Sequence, residues 1–236
     1  MRACQGGRTL TRSRVLFMSG ASRTLLIFDF DGTLANTIET GIGIYNEIAP
    51  GYGLRTVTSD EVKELRKLNT RALLDHLGIS RLMAVKLAAH IRRILHDRMG
   101  SVEMIPGTRE MIGGLSASGY RLGILTSNSA DNVRAVLRRF GLLDAFLFIE
   151  AGVSLFGKAQ RIANALRRNG VPTGQAIYVG DETRDMEAAR KAGVKGIAVC
   201  WGTNEREAME TEGPDYCIDD PSELIACVED FEKLTS

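Results

Sequence analysis

Short apolar runs recur along the chain from Thr24 onward: Leu25-Leu26-Ile27-Phe28, Leu122-Gly123-Ile124-Leu125, Phe146-Leu147-Phe148-Ile149, Ala176-Ile177-Tyr178-Val179 and Gly196-Ile197-Ala198-Val199. A strand with one wet face alternates apolar and polar residues. These runs do not alternate, which predicts strands covered on both faces. Helical spacing fills the intervals, over 107–118, 129–139, 157–169, 184–192 and 221–234. Asp131, Pro221 and Ser222 fall near helix starts, and Gly119, Gly170 and Gly193 near stops. Strand and helix in alternation predict an α/β domain with a doubly wound parallel sheet.

The gap between the first two runs is far longer than one crossover helix needs. It reads as four helices, over 37–49, 59–68, 70–77 and 80–99, with Leu87, Ile91, Ile94 and Leu95 on an apolar side and Arg92, Arg93 and Arg98 on a basic one. The expected organisation is a core of 23–36 and 104–236, interrupted by an inserted α-helical cap domain over 37–103. Residues 1–22 are read as an N-terminal extension without function. The first 28 residues hold Arg2, Arg8, Arg12, Arg14 and Arg23 and no acidic residue, a transit-peptide composition, but they show no clear amphipathic helix.

Composition narrows the class without naming a reaction. The 236 residues are 44% hydrophobic and 25% charged, the balance of a globular protein with a real core. Thirty Lys and Arg against 29 Asp and Glu leave a net charge of +1, which argues against a nucleic-acid binder working through a basic field. No apolar run approaches the length of a membrane span. The cysteines, Cys4, Cys200, Cys217 and Cys227, form no CxxC pair, so reduced thiols in the cytoplasm are expected.

Chemistry concentrates at strand ends. The first strand runs into Asp29-Phe30-Asp31-Gly32-Thr33, two carboxylates two residues apart at the edge where open α/β sheets bind ligands. Gly32 permits a sharp exit and opens backbone N–H groups to an anion. An Asx-turn accounts for one aspartate there, but not for both. The fourth strand ends in Gly180-Asp181-Glu182-Thr183-Arg184-Asp185, with Asp181 and Asp185 on one face of a helix start. Together these acids form a cluster that needs a cation, and oxygen ligands without His or Cys select Mg²⁺ over Zn²⁺. Thr126-Ser127-Asn128 ends the second strand, and Lys158 opens a later helix; taken alone, these are ordinary caps and surface groups. His76, His90 and His96 are scattered in the insertion and read as packed or surface residues.

The order and spacing of Asp29–Thr33, Thr126, Lys158 and Gly180–Asp185 resemble the haloacid dehalogenase superfamily, and within it the phosphoglycolate-phosphatase-like members with a helical cap. The resemblance implies a Rossmann-like sheet of order 3-2-1-4-5 and a Mg²⁺-dependent phosphatase acting on a small phosphomonoester, as monomer or homodimer. By that resemblance Asp29 is the nucleophile that becomes an aspartyl-phosphate and also a Mg²⁺ ligand. Asp31 is the acid/base, with its backbone carbonyl on the metal. Thr126 binds the phosphoryl group together with backbone N–H groups near Gly32 and Ser127, and Lys158 neutralises Asp29 and phosphate. Asp181 binds Mg²⁺ directly, and Asp185 binds it through water.

The chain departs from the family pattern at Asn36, Ser127 and Ala159, none of which removes a catalytic group. A phosphomutase of the β-phosphoglucomutase type and a nucleotide or sugar phosphatase are the alternative readings. A P-loop over Gly152–Ala159 is a remote one, because Ala159 stands where a metal-binding Ser or Thr belongs. Among Arg66, Arg71, Arg92, Arg93 and Arg98, the sequence does not choose which meets substrate.

Overall fold

The computed structural model describes residues 23–152 and 157–235. The elements in chain order are β1 (Leu25–Phe28), α1 (Ile38–Ile48), α2 (Ser59–Leu65), α3 (Thr70–His76), α4 (Arg81–Arg98), α5 (Thr108–Ala117), β2 (Arg121–Leu125), α6 (Ala130–Arg139), β3 (Phe148–Glu150), α7 (Lys158–Asn169), β4 (Ala176–Gly180), α8 (Thr183–Ala192), β5 (Lys195–Val199), α9 (Arg206–Glu210), β6 (Tyr216–Ile218) and α10 (Leu224–Thr235). The sheet has the order β3-β2-β1-β4-β5-β6, every pair parallel.

The unbroken apolar runs are explained by two cores, one on each face. Along β1, Leu26 and Phe28 join one cluster with α5, α6 and α10 residues such as Ile112, Val133 and Val228. Leu25 and Ile27 face the other way, onto Ile162 and Leu166 of α7 and Ala188 of α8. Each such side chain taken fully out of water stabilises the fold by about 1.5–3 kcal/mol. Helices on both faces of the parallel sheet bury both sides of these strands.

The expected sheet order is present, with an addition. Tyr216–Ile218, too short and polar-flanked to stand out in the sequence, adds β6 beside β5. Helix α9 was likewise not expected. The third strand begins two residues later than its apolar run, because Phe146 follows a 3₁₀ turn over Leu143–Ala145 and Leu147 is exposed at the sheet's edge.

Helices α1–α4 lie between β1 and α5. The chain leaves and returns at one place: Ala35 bridges Met104 in antiparallel fashion, Asn36 N–H donates to the Glu103 carbonyl at 2.9 Å, and Ile105 N–H to that of Leu34 at 2.9 Å. On α4, Leu87 and Leu95 are buried while Ile91 and Ile94 pack against the first core, as the periodicity predicts. Arg92 departs from its expected solvated side: its Nη1 donates to the Ser127 carbonyl at 2.9 Å.

Candidate active site

The carboxyl ends of β1, β2 and β4 converge on one buried cluster of charge. Asp29 continues the β1–β4 ladder through its N–H to the Val179 carbonyl at 2.9 Å. Leu34 and Ala35 both donate to the Phe30 carbonyl, at 3.0 and 2.9 Å, which folds the following loop back on itself. Gly32 sits in that loop at φ +75°, a conformation that favours glycine. Its N–H is taken by the Ala35 carbonyl at 2.9 Å, so its contribution to the site is space. A Cβ on Gly32 or on Gly202 would overlap the Asp181 side chain.

Asp29, 5% exposed, accepts from Phe30 N–H at 2.7 Å on Oδ1 and from Lys158 Nζ at 2.7 Å on Oδ2. Lys158 also donates to Oδ1 of Asp185. Burial works against the ammonium, but Asp185 and Asp29 outweigh it and hold the Lys158 pKa well above its usual value. Asp185 is fully buried, and its Oδ2 accepts from Glu182 N–H at 3.1 Å, closing a capping box on α8. Asp181 accepts from Thr33 Oγ1 at 2.7 Å and from Thr203 N–H at 2.8 Å. Burial first, and then the charges of Glu182, Asp29 and Asp185, push its pKa up to about 8.

Asp29 and Asp185 thus share one ammonium, and Asp181 beside them has none. Asp29, Asp181 and Asp185 each offer an oxygen, all within 4.8 Å of one another. Buried carboxylate oxygens gathered this closely fit a small hard cation. The Asp31 carboxylate stands apart from the three. Its Oδ1 accepts from Asn128 Nδ2 at 2.9 Å, and desolvation followed by the Asp29 charge raises its pKa to about 6, against hydrogen bonds from Asn128 and Thr37.

Thr126 is fully buried beside them, its Oγ1 accepting from Asn128 N–H at 3.1 Å. Ser127 presents its carbonyl to Arg92, and no described residue accepts from its N–H. The candidate catalytic, phosphate-binding and metal-binding residues, Asp29, Asp31, Gly32, Thr126, Ser127, Lys158, Asp181 and Asp185, therefore lie together at this sheet edge. The P-loop reading loses its lysine to Asp29 and Asp185; part of that segment, 153–156, lies outside the described residues, as do residues 1–22.

The family model for haloacid dehalogenase-like hydrolases matches residues 26–199. The chain belongs to this family. It is 34% identical over 203 residues to a phosphoglycolate phosphatase of Synechococcus elongatus, covering 86% of this chain and 96% of that protein. A phosphoglycolate phosphatase of Agrobacterium fabrum is 31% identical, with 90% and 94% covered. Among solved structures, a haloacid dehalogenase-like hydrolase from Streptococcus pneumoniae superposes with a TM-score of 0.71 at 23% identity over 87% of this chain and 98% of that one. A hydrolase from Pseudomonas syringae gives 0.69 at 22% identity, covering 88% and 99%. At those identities the structures speak for the fold.

In this haloacid dehalogenase-like hydrolase several contacts at the site escaped the sequence reading. Asn128 holds Asp31, and Thr33 and Thr203 hold Asp181. Asn204 fastens the insertion to the core, with Nδ2 donating to the carbonyls of Leu68 at 2.8 Å and Arg66 at 3.1 Å and Oδ1 accepting from Thr183 N–H at 3.0 Å. Position after β5, at the ligand-binding edge of the sheet, was the available signal for Thr203 and Asn204. The histidines make side-chain bonds as expected of packed or surface residues: His76 to Glu61, His90 to Tyr52, His96 to Asn132. Among the described residues no helix is long and apolar enough to cross a membrane.

Proposed function

We propose that this enzyme hydrolyses a small phosphomonoester, phosphoglycolate first among them, through a phosphorylated Asp29. The chain is a phosphoric monoester hydrolase, like the relatives that it matches along nearly their whole length. The observation that carries the mechanism is the buried Asp29–Lys158 pair, placed against Asp181 and Asp185 with Asp31 two residues further on.

In the first half-reaction an Asp29 carboxylate oxygen bonds to phosphorus as the bond to the ester oxygen breaks, and Asp31 gives its proton to the departing alcohol. In the second, Asp31 takes a proton from water as that water attacks phosphorus; the phosphorus–Asp29 bond breaks and inorganic phosphate leaves. One difficult displacement becomes two easier ones. The proposed phosphate contacts are Thr126 Oγ1, the Ser127 N–H, backbone N–H groups beside Gly32 other than its own, and Lys158, whose charge offsets that of the equatorial oxygens. An acid that titrates at about 6 holds and returns a proton near neutrality far better than an ordinary aspartate.

The cation proposed for the cluster is Mg²⁺, held by Asp29, Asp181 and the Asp31 carbonyl, with Asp185 joined through water. When bound, it would neutralise phosphoryl charge. We read residues 37–103 as a cap that shields the site from bulk water during phosphoryl transfer. The working compartment proposed is the cytoplasm, where the free thiols of Cys200, Cys217 and Cys227 stay reduced.

Phosphate release from a panel of phosphorylated metabolites, with and without Mg²⁺, tests the reading. Phosphoglycolate is expected to lead, and Asp29→Asn to abolish turnover. Turnover that survives Asp29→Asn would exclude the covalent route, and transfer to a sugar hydroxyl in place of water would favour a mutase.

A further inference from the structure

A line of hydrogen bonds crosses from the helical insertion to Asp31. Its first member is His96 on α4, whose Nδ1 bonds Oδ1 of Asn132 in the first turn of α6. Asn132 Nδ2 donates to Asn128 Oδ1 at 2.8 Å, and Asn128 Nδ2 donates to Asp31 Oδ1 at 2.9 Å. The direction of the line is set by a group that can only donate. Ser129 backbone N–H bonds Asn128 Oδ1 at 2.8 Å, so the Asn128 amide nitrogen must face Asp31. Asn132 must then present its own nitrogen to Asn128 and its oxygen to His96. Nδ1 of His96 therefore carries a hydrogen.

The two amides are 1% and 3% exposed, while His96 is open to solvent. A buried amide that loses its partner loses orientation as well as energy. One turn before His96, Arg92 donates to the Ser127 carbonyl at 2.9 Å. Residues four apart share one face of a helix. That face of α4 therefore grips the Ser127–Asn132 segment at both ends.

We propose that His96 is a positioning residue: α4, docked through His96, Asn132 and Asn128, aims the Asp31 carboxylate at the leaving group. With Oδ1 engaged as an acceptor, Oδ2 is the oxygen that carries the proton to the departing alkoxide. This inference rests on Asp31 being the acid of the proposed reaction. It gives the insertion a role in the chemical step, because an undocked α4 leaves Asn128 with Ser129 N–H alone on its Oδ1 and so loosens the amide that aims the acid.

Leaving groups separate aim from mere folding. An alkoxide needs the proton, whereas p-nitrophenolate departs without it, so only the alkyl ester depends on how the acid is placed. First-turnover rates with Mg²⁺ are to be measured for phosphoglycolate and p-nitrophenyl phosphate in the wild type, His96→Ala, His96→Asn and Asn132→Ala. The expectation is that His96→Ala and Asn132→Ala slow the alkyl ester about tenfold or more and change the nitrophenol burst by less than about twofold. His96→Asn, which returns an N–H donor near the place of Nδ1, should restore most of the alkyl rate. Equal slowing of both esters, or no slowing of the alkyl ester in His96→Ala, whose exposed side chain the fold does not need, overturns the proposal. A wild type that cleaves neither ester overturns the phosphatase reading itself, and the relay with it.

Discussion

Gly32 and Asp181 come from different strand ends, and the carboxylate of one fills the space where the other would carry a Cβ. The backbone of Gly32 is also in the left-handed region. Gly32→Ala therefore meets two penalties, a strained φ costing about 1–3 kcal/mol and the displacement of Asp181. The expected result is a lower melting temperature together with weakened Mg²⁺ binding by calorimetry. A variant that melts lower but binds Mg²⁺ as before would show that Asp181 tolerates the shift.

Lys158→Met keeps much of the side chain's volume and removes the charge shared by Asp29 and Asp185. The loss of one fixed charge at a phosphoryl-transfer site is expected to lower kcat by about 10²–10³-fold. Breaking one side of a buried pair also destabilises, by about 3–5 kcal/mol where the orphaned charge cannot be neutralised. Here proton uptake by the carboxylates should soften that cost. Steady-state kinetics beside chemical denaturation at pH 6 and pH 8 checks both, and the stability loss should be larger at pH 8.

The raised pKa values of Asp181, about 8, and Asp31, about 6, set a pH dependence of which a cation should remove the Asp181 share. Both lie above the ordinary 3.8, so between that value and the raised ones the folded chain binds more protons than the unfolded chain. Stability then falls as pH rises through this window, the reverse of an ordinary salt-bridged aspartate. A cation bound at the cluster replaces the proton of Asp181, whereas Asp31, apart from the cluster, keeps its own. The melting temperature in Mg²⁺ minus that in chelator is expected to widen from pH 5 to pH 8. A difference that stays flat across this range would mean that Asp181 is already ionised without the ion.

Asn204 turns its Nδ2 toward two carbonyls of the insertion, those of Arg66 and Leu68. Asn204→Asp replaces a donor with an acceptor facing acceptors, at a cost of about 1–3 kcal/mol for the groups left unpaired. Amide exchange in 66–69 should quicken, and KM should rise more than kcat falls. Unchanged exchange in that segment would show that Glu205 N–H, which bonds the same Arg66 carbonyl at 3.0 Å, is anchor enough.

What could be read from residue order follows physical rules of short range. Apolar runs without alternation announced a doubly covered parallel sheet, and β1 shows why: alternate residues face two cores. Glycines after α5, α7 and α8 marked where those helices stop. The edge strand β6 and the short α9 gave no such signal, since each spans fewer residues than a periodicity needs. Among the site residues, paired acids at strand ends stood out because unpaired carboxylates side by side are costly and seldom incidental. Asn128, Asn132, Thr203 and Asn204 did not, because each looks like an ordinary loop or capping residue until its distant partner is known.

By itself, the sequence determined the chemistry available: which strands end in carboxylates, which loop carries the hydroxyl, and that a lysine opens α7. Tertiary structure alone decided how those groups share their charge and their donors. It brought Lys158 between Asp29 and Asp185, turned Asp31 away from the cluster toward Asn128, and set Arg92 and His96 of the insertion against the Ser127–Asn132 segment. The reason is that strand and helix patterns are local, whereas a hydrogen bond between residues far apart in the chain depends on how whole layers pack, and no local pattern encodes that distance.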